Sequence, residues 1–353
     1  MNKLQPDQNI LDIRNLYVEY LTEHGPVKAV ENVSFTIAQG EVFGLAGESG
    51  CGKSTIAHTI LRVLRPPAVI TGGEILYKGV DVLKMDDMSL EEYRQKIPAI
   101  PDGKEIAASA DIIEAFRWAE TSMVFQSSMN SLNPVIRIVD QITDVLMKHE
   151  KLNTRQARTR AEELLEIVNI DKRRLDAYPH ELSGGMRQRV VIAIALALSP
   201  SLMIMDEPTT ALDVVVQKDI LQQIEQLKKD LGFSILFITH DLSLMVEFSD
   251  RIGIMYAGEI VELAPAKEIL TNALHPYTQG LLASFPSITG PRIELTGIPG
   301  SPPNLISPPK GCKFHPRCSY WDGIETSSSP PLKEISPGHW VACTCHIEKT
   351  KLA

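Results

Sequence analysis

The stretch GESGCGKST, Gly47 to Thr55, constrains this chain more than any other feature of its sequence. It fits the pattern G-x-x-x-x-G-K-[ST] through Gly47, Gly52, Lys53 and Ser54. Glycines at these places let successive backbone N–H groups converge on phosphate oxygens, and the start of a following helix adds positive potential. Lys53 is then placed to reach β- and γ-phosphates and the Ser54 hydroxyl to ligate Mg²⁺, with Ser49, Gly50 and Thr55 completing the loop. Such a loop works only between a strand and a helix. EVFGLAG supplies the strand, and Thr55 to Leu64 the helix, with Ile56, Ile60, Leu61 and Leu64 on one face.

A phosphate loop of this kind calls for a carboxylate at the end of a second buried strand. LMIMDEP provides it: Asp206 is placed to hold Mg²⁺ through water, and Glu207 to polarise an attacking water. The runs LMIM and SILFI are apolar without alternation, which suits strands covered on both faces, as in a parallel sheet. A helix is expected between them, from about Val216 to Asp230. Another is expected over Asn153 to Val168, where Ala157, Ala161, Leu164, Leu165 and Val168 share a stripe behind a cap at Asn153 or Thr154. The greasiest stretch, Val190 to Met205, is broken by Ser199-Pro200-Ser201 and falls short of the about 20 apolar residues of a membrane span. It reads as a buried helix, a turn and a buried strand. The body is therefore predicted to be α/β, a mostly parallel sheet with helices on both sides.

Composition narrows the function classes. With 353 residues, 44% of them hydrophobic and 22% charged, the profile is that of a globular protein of about two domains. A net charge of −9 argues against a surface dedicated to nucleic acid. MNKLQPDQNILDIRNLYVEY lacks an apolar run behind basic residues, so no secretory signal is expected and the chain is expected in the cytoplasm. Five cysteines, an odd number, do not suggest a disulfide scaffold. From Leu274 onward Pro and Gly become frequent, and four of the five cysteines fall between Cys312 and Cys345. A regular body over 1–270 and a loop-rich C-terminal extension over 271–353 are the expected domains.

LSGGMRQR, Leu182 to Arg189, puts Ser183, Gly184 and Gly185 at the start of a helix opening near Met186, a second anion site on one chain. This segment resembles the signature motif of ATP-binding-cassette (ABC) ATPases. The resemblance implies a P-loop NTPase cassette with a RecA-like core, an antiparallel β subdomain and a helical signature subdomain over about 85–200. It implies hydrolysis of ATP by in-line attack of water, with Glu207 as the base or water-orienting group and His240, in SILFITHD, sensing the γ-phosphate. Tyr20 matches the aromatic that stacks on adenine. Gln126, in SMVFQ, matches the glutamine that joins Ser54 and Asp206 around Mg²⁺, and Asp213, in TTALD, the loop that crosses the dimer interface. Cassettes of this family pair head to tail, so Ser183, Gly184, Gly185 and Gln188 would act on the partner's ATP.

The segments LHPYTQGLL, GIPGSPPNL and GCKFHPRC, together with SMNSLNP after Gln126, closely resemble the ATPases of oligopeptide and dipeptide importers. That implies a peripheral subunit at the cytoplasmic face of the cell membrane. Its implied partners are a second ABC ATPase, a paralogue or another copy of itself, two transmembrane permease subunits and, indirectly, an extracytoplasmic substrate-binding protein. Oligosaccharide and nickel importers share the extension and give alternative cargoes. A soluble ABC factor acting on nucleic acid or ribosomes is the alternative from a different class, disfavoured by the acidic balance and the tail. Ile97 to Glu120 looks inserted, and Ala108, Ile112, Phe116 and Ala119 place a short amphipathic helix there. In such relatives four cysteines of the extension can hold a 4Fe–4S cluster. Cys312, Cys318 and Cys343 occupy three of those places, Glu325 stands at the remaining one, and Cys345 is an extra thiol, which leaves iron–sulfur, zinc and free thiols open. Cys51, inside the phosphate loop, reads as a small residue.

Overall fold

The computed structural model describes residues 9–88, 92–93, 96–97, 112–126, 128–210, 212–284, 297–321, 323 and 328–343. The chain divides into two compact units, one of Met1–Leu11, Ile37–Glu41 and Leu76–Leu236, the other of Asp12–Thr36, Val42–Ile75 and Phe237–Ala353. In chain order, β1 (Asn9–Thr22), β2 (Gly25–Ala38), β3 (Val42–Ala46), α1 (Lys53–Ile60), β4 (Ala68–Tyr77) and β5 (Val80–Asp81) come first. α2 (Ile112–Ala115), β6 (Thr121–Val124), α3 (Ile138–Glu150), α4 (Thr154–Ile167), α5 (Gly184–Leu196), β7 (Leu202–Asp206) and α6 (Val214–Leu231) follow. The remainder is β8 (Ser234–Ile238), α7 (Leu242–Phe248), β9 (Arg251–Tyr256), β10 (Glu259–Pro265), α8 (Ala266–Thr271), α9 (Pro276–Ala283), β11 (Lys333–Ser336) and β12 (His339–Val341). Among the described residues no helix is long and apolar enough to cross a membrane.

In the first unit β7 lies between β6 and the start of β8, and β6 runs parallel to it, from Thr121 opposite Leu202 to Val124 opposite Met205. Every residue of β7 is buried, which is why the run reads as apolar without alternation. The Asn153 side chain caps α4 by accepting the Gln156 N–H, and the helix buries Ala157, Ala161, Leu164 and Leu165 as the periodicity requires. α6 starts earlier than Val216 because Asp213 caps it, and it ends where Gly232 turns to φ 76°. Of the inserted-looking segment, Ile112–Ala115 is α-helical and Phe116–Glu120 continues as a π-helical turn that buries Phe116 and Ala119. Ala108 lies outside the described residues. Glu120, buried at the end of that turn, accepts hydrogen bonds from Tyr77 Oη (2.9 Å) and Lys78 Nζ (2.7 Å), which tie the end of β4 to the start of β6.

The second unit runs β11-β12-β10-β9-β3 across one sheet, with β3 parallel to β9 from Phe43 opposite Arg251 to Ala46 opposite Ile254. The mostly parallel sheet expected from sequence is interrupted here. Ala257 (φ 49°) and Gly258 (φ 87°) make a two-residue turn of left-handed residues, which forces β9 and β10 into an antiparallel hairpin with Glu259 opposite Tyr256. β10 then pairs antiparallel with β12, and β12 with β11. α1 stops at Ile60, short of Leu64, because Arg62 takes φ 54° and Pro66-Pro67 follow.

The stretch after residue 270 is thus more than loop: it contributes α9 and two strands. A buried carboxylate on β10 is one of the groups that fasten it. Glu262 on β10 accepts the N–H groups of Leu274 (2.7 Å) and His275 (3.0 Å), ahead of α9, and a 2.7 Å bond from His339 Nε2 on β12. Burial pushes the Glu262 carboxyl up, but His339 and the two backbone N–H groups together pull it below its ordinary value. A carboxylate lowered by folding adds stability above its unfolded value of about 4.3, and that stability is lost as pH falls through the folded value. In thermal unfolding, Glu262→Gln is expected to be less stable than wild type by about 2 kcal/mol near neutrality. The gap should close below about pH 4. A gap that persists unchanged in acid contradicts this account of the fastening.

Candidate functional site

The buried strand β3 ends at Ala46, and the chain then turns through Gly47 (φ 150°), Gly50 (φ 79°) and Gly52 (φ 108°) into α1. Two of these glycines are needed for space as well as for conformation. A Cβ on Gly47 would stand 2.2 Å from the Met255 carbonyl oxygen, and one on Gly52 would stand 2.2 Å from that of Ala29. At Gly50 a Cβ meets nothing within 4 Å, so only its left-handed backbone asks for glycine. Lys53, at the start of α1 and 6% exposed, arches back over the loop and donates to the carbonyls of Gly47 (2.7 Å) and Glu48 (3.0 Å). Tyr20, on β1, brings its hydroxyl to 3.3 Å from that of Thr55. Cys51 is buried, and burial is the main influence that pushes its thiol up. It is packing, as the sequence suggests.

His240 follows β8 and is exposed, immediately before Asp241, which caps α7 through the N–H groups of Ser243 and Leu244. The cap fixes the backbone on which His240 stands.

In the first unit, Asp206 closes β7 and is buried. Glu207 comes next, at φ 49°, a conformation that costs a residue with a Cβ about 1 kcal/mol and turns its side chain out of the strand. Its Oε2 accepts a 2.8 Å hydrogen bond from Gln126 Nε2 and a 3.2 Å bond from Thr210 Oγ1. Two residues 81 positions apart in sequence and matched separately to the family are thus joined directly. Ser183 caps α5, its hydroxyl accepting the Met186 N–H at 3.3 Å. A Cβ on Gly185 would fall 2.8 Å from Val216, so the signature glycine also lets α5 approach α6 closely. Asp213 caps α6 through the Val216 N–H (3.0 Å), with Val214 and Val215 exposed beside it. Ser183 is exposed and Gly184 and Gly185 are half-buried, whereas Gln188 is buried, and its Oε1 accepts from Ser128 Oγ at 3.3 Å.

Of the four candidate thiols of the extension, Cys312, Cys318 and Cys343 lie among the described residues. Among the described residues no group of three or more His, Cys, Asp or Glu is arranged to hold a metal ion, and both Glu325 and Cys345 lie outside them. Burial is the main influence that pushes the Cys312 thiol up, to about 11, and Cys343 and Cys318 push it further.

Sequence reasoning missed two residues that reach the phosphate loop, Arg317 and Tyr277, and a third, Pro299, that holds Arg317. Arg317, in GCKFHPRC, forms a bidentate pair with the Glu48 carboxylate (2.8 and 2.9 Å), and its Nε donates to the Pro299 carbonyl (2.8 Å), in GIPGSPPNL. Tyr277, in LHPYTQGLL, accepts the Glu48 N–H on its hydroxyl (2.8 Å). The three motifs that carry the family resemblance each supply one of these residues, but no local pattern in them names a partner.

The sequence matches the family model of ABC transporters over residues 30–210 and that of the oligopeptide/dipeptide transporter C-terminal region over residues 261–323. It is 43% identical to an oligopeptide transport ATP-binding protein of Bacillus subtilis, over 94% of this chain and 87% of that one. The chain belongs to the oligopeptide and dipeptide transport ATP-binding proteins of the ABC family. A dipeptide transport ATP-binding protein of Lactococcus lactis is 42% identical to this family member over 95% of the chain and 90% of its own length. Among solved structures, a dimeric ATP-binding cassette in a post-hydrolysis state with ADP and phosphate is similar, with a TM-score of 0.58 and 26% identity over 72% of this chain and 98% of that one. This protein is accordingly an ABC-type ATPase with the cassette fold.

The two crowded glycines yield a graded prediction. Gly52→Ala sets a methyl against the Ala29 carbonyl and is expected to cost about 3 kcal/mol in nucleotide binding or in stability. Gly50→Ala meets only its backbone penalty of about 1 kcal/mol. ATP titration and thermal unfolding of both variants check the ranking, which equal effects would contradict.

Proposed function

We propose that this ATPase energises the import of oligopeptides or dipeptides across the cell membrane, as a peripheral subunit at the cytoplasmic face. Support for peptide as cargo comes from the relatives, named for oligopeptide and dipeptide transport, and from the match of the extension. Its proposed partners are a second ATPase, two permease subunits and an extracytoplasmic binding protein.

The observation that carries the hydrolytic reading is the Glu207 carboxylate held by Gln126 at the end of a buried strand. Gln126 and Thr210 both donate to Oε2 and hold the carboxylate, which in this reading accepts a proton from an attacking water. The water attacks the γ-phosphorus, the bond to the β-γ bridging oxygen breaks, and ADP and phosphate result. Lys53 and the loop N–H groups carry the phosphate charge, Tyr20 stacks on adenine and His240 contacts the γ-phosphate. By the family resemblance, Ser54, Gln126 and Asp206 are the oxygen donors that would hold Mg²⁺, which when bound would neutralise charge on the phosphates. Ser183, Gly184 and Gly185 act on the nucleotide of the partner cassette, and Asp213 lies in the loop facing it. ATP binding then drives closure of the pair and hydrolysis reopens it.

Glu207→Gln keeps the Gln126 contact but cannot take the proton. It is expected to bind ATP as wild type does and to hydrolyse it at least about 100-fold more slowly. The ATP-bound assembly should accumulate, visible in size-exclusion chromatography. Undiminished turnover in this variant removes Glu207 from the role.

A further inference from the structure

Glu48 is the anomalous residue of the phosphate loop: a carboxylate within a segment whose task is to attract polyphosphate. All its polar groups are held. The N–H donates to Tyr277 Oη (2.8 Å), the carbonyl accepts from Lys53 Nζ (3.0 Å), and the carboxylate takes both terminal nitrogens of Arg317 (2.8 and 2.9 Å). Lys53 and the extension thus hold different groups of the same residue.

Arg317 is built for charge cancellation at this place. Its side chain is 5% exposed, and the guanidinium lies 5.7 Å from the centre of the Tyr256 ring and 6.0 Å from that of Phe314. Tyr277 completes that wall, 4.6 Å from Tyr256 between ring centres. The hydrogen bond to Glu48 is the main influence that holds Arg317 charged, above its ordinary range. A pair walled in by rings is weakly screened on the Arg317 side, so loss of the guanidinium leaves a net negative charge in the loop. Motifs from three parts of the extension contribute: Tyr277, Pro299 and the Phe314–Arg317 pair.

We propose that Arg317 is a positioning residue of the nucleotide site: by cancelling the charge of Glu48 it keeps the phosphate loop permissive for polyphosphate, so the C-terminal extension takes part in nucleotide binding. This rests on the reading of Gly47 to Thr55 as the loop that binds the phosphates of ATP. It predicts an affinity that follows the net charge of one pair. Neutral in wild type, the pair is negative in Arg317→Ala, positive in Glu48→Gln and neutral again in the double variant.

The test is titration of the intact chain with MgATP in all four forms, with a thermal melt of each to confirm folding. Arg317→Ala should weaken binding about 10-fold, Glu48→Gln should tighten it, and the double variant should return to within about 3-fold of wild type. The Arg317→Ala defect should shrink toward about 0.5 M salt. Unchanged binding in Arg317→Ala, or a defect that Glu48→Gln fails to repair, overturns the proposal. Should Arg317→Ala not fold, Glu48→Gln decides alone, and weaker or unchanged binding in it overturns the proposal. Lys53→Ala separates the underlying reading: if it binds MgATP as wild type does, the phosphate loop itself has been misassigned.

Discussion

Backbone N–H groups can converge on a phosphate only where no Cβ stands in the way, and this requirement organises the second unit. Gly47 and Gly52 are pressed against the carbonyls of Met255 and Ala29, so β9 and β2 are walls of the loop and fix its shape from two sides. Their positive φ values are the local price, accepted because the loop then presents its amides without rearrangement. β9 reaches its place beside β3 through a parallel pairing of buried apolar residues, and β10 folds back on it through the Ala257-Gly258 turn. The phosphate loop thus depends on strands far from it in sequence.

The C-terminal extension belongs to that same framework. Glu262 fastens it through His339 and two backbone N–H groups, and Lys313 reinforces it with bonds to Glu31 (2.7 Å) and the Ala257 carbonyl (2.9 Å). Lys313 and Arg317 lie four positions apart, one gripping β2 and the hairpin turn, the other gripping the phosphate loop. Two cationic side chains of this proline-rich tail, Lys313 and Arg317, are thus buried and paired.

Much of the fold was legible in the sequence because its signals are local. Apolar runs without alternation marked β7 and β8, the cap expected at Asn153 or Thr154 marked the start of α4, and the glycine pattern marked the turn from β3 into α1. The hairpin of β9 and β10 escaped notice because Ala257 adopts a left-handed conformation usually given to glycine or asparagine. β11 and β12 escaped because strands of four and three residues carry no periodicity. Of the candidate site, Gln126 and Glu207 were each named, but their hydrogen bond is a tertiary fact. The carboxylate of Glu48 inside a phosphate loop was visible from the start. Its partner Arg317, 269 positions away, was not, since no local pattern announces a long-range ion pair.

The central claim, that this ATPase drives peptide import, is tested most directly by uptake of a labelled tripeptide into cells from which the chain has been deleted. Wild-type chain should restore ATP-dependent uptake, and Lys53→Ala, made in equal amount, should not. Uptake that is unaffected by the deletion, or restored equally by Lys53→Ala, would contradict it.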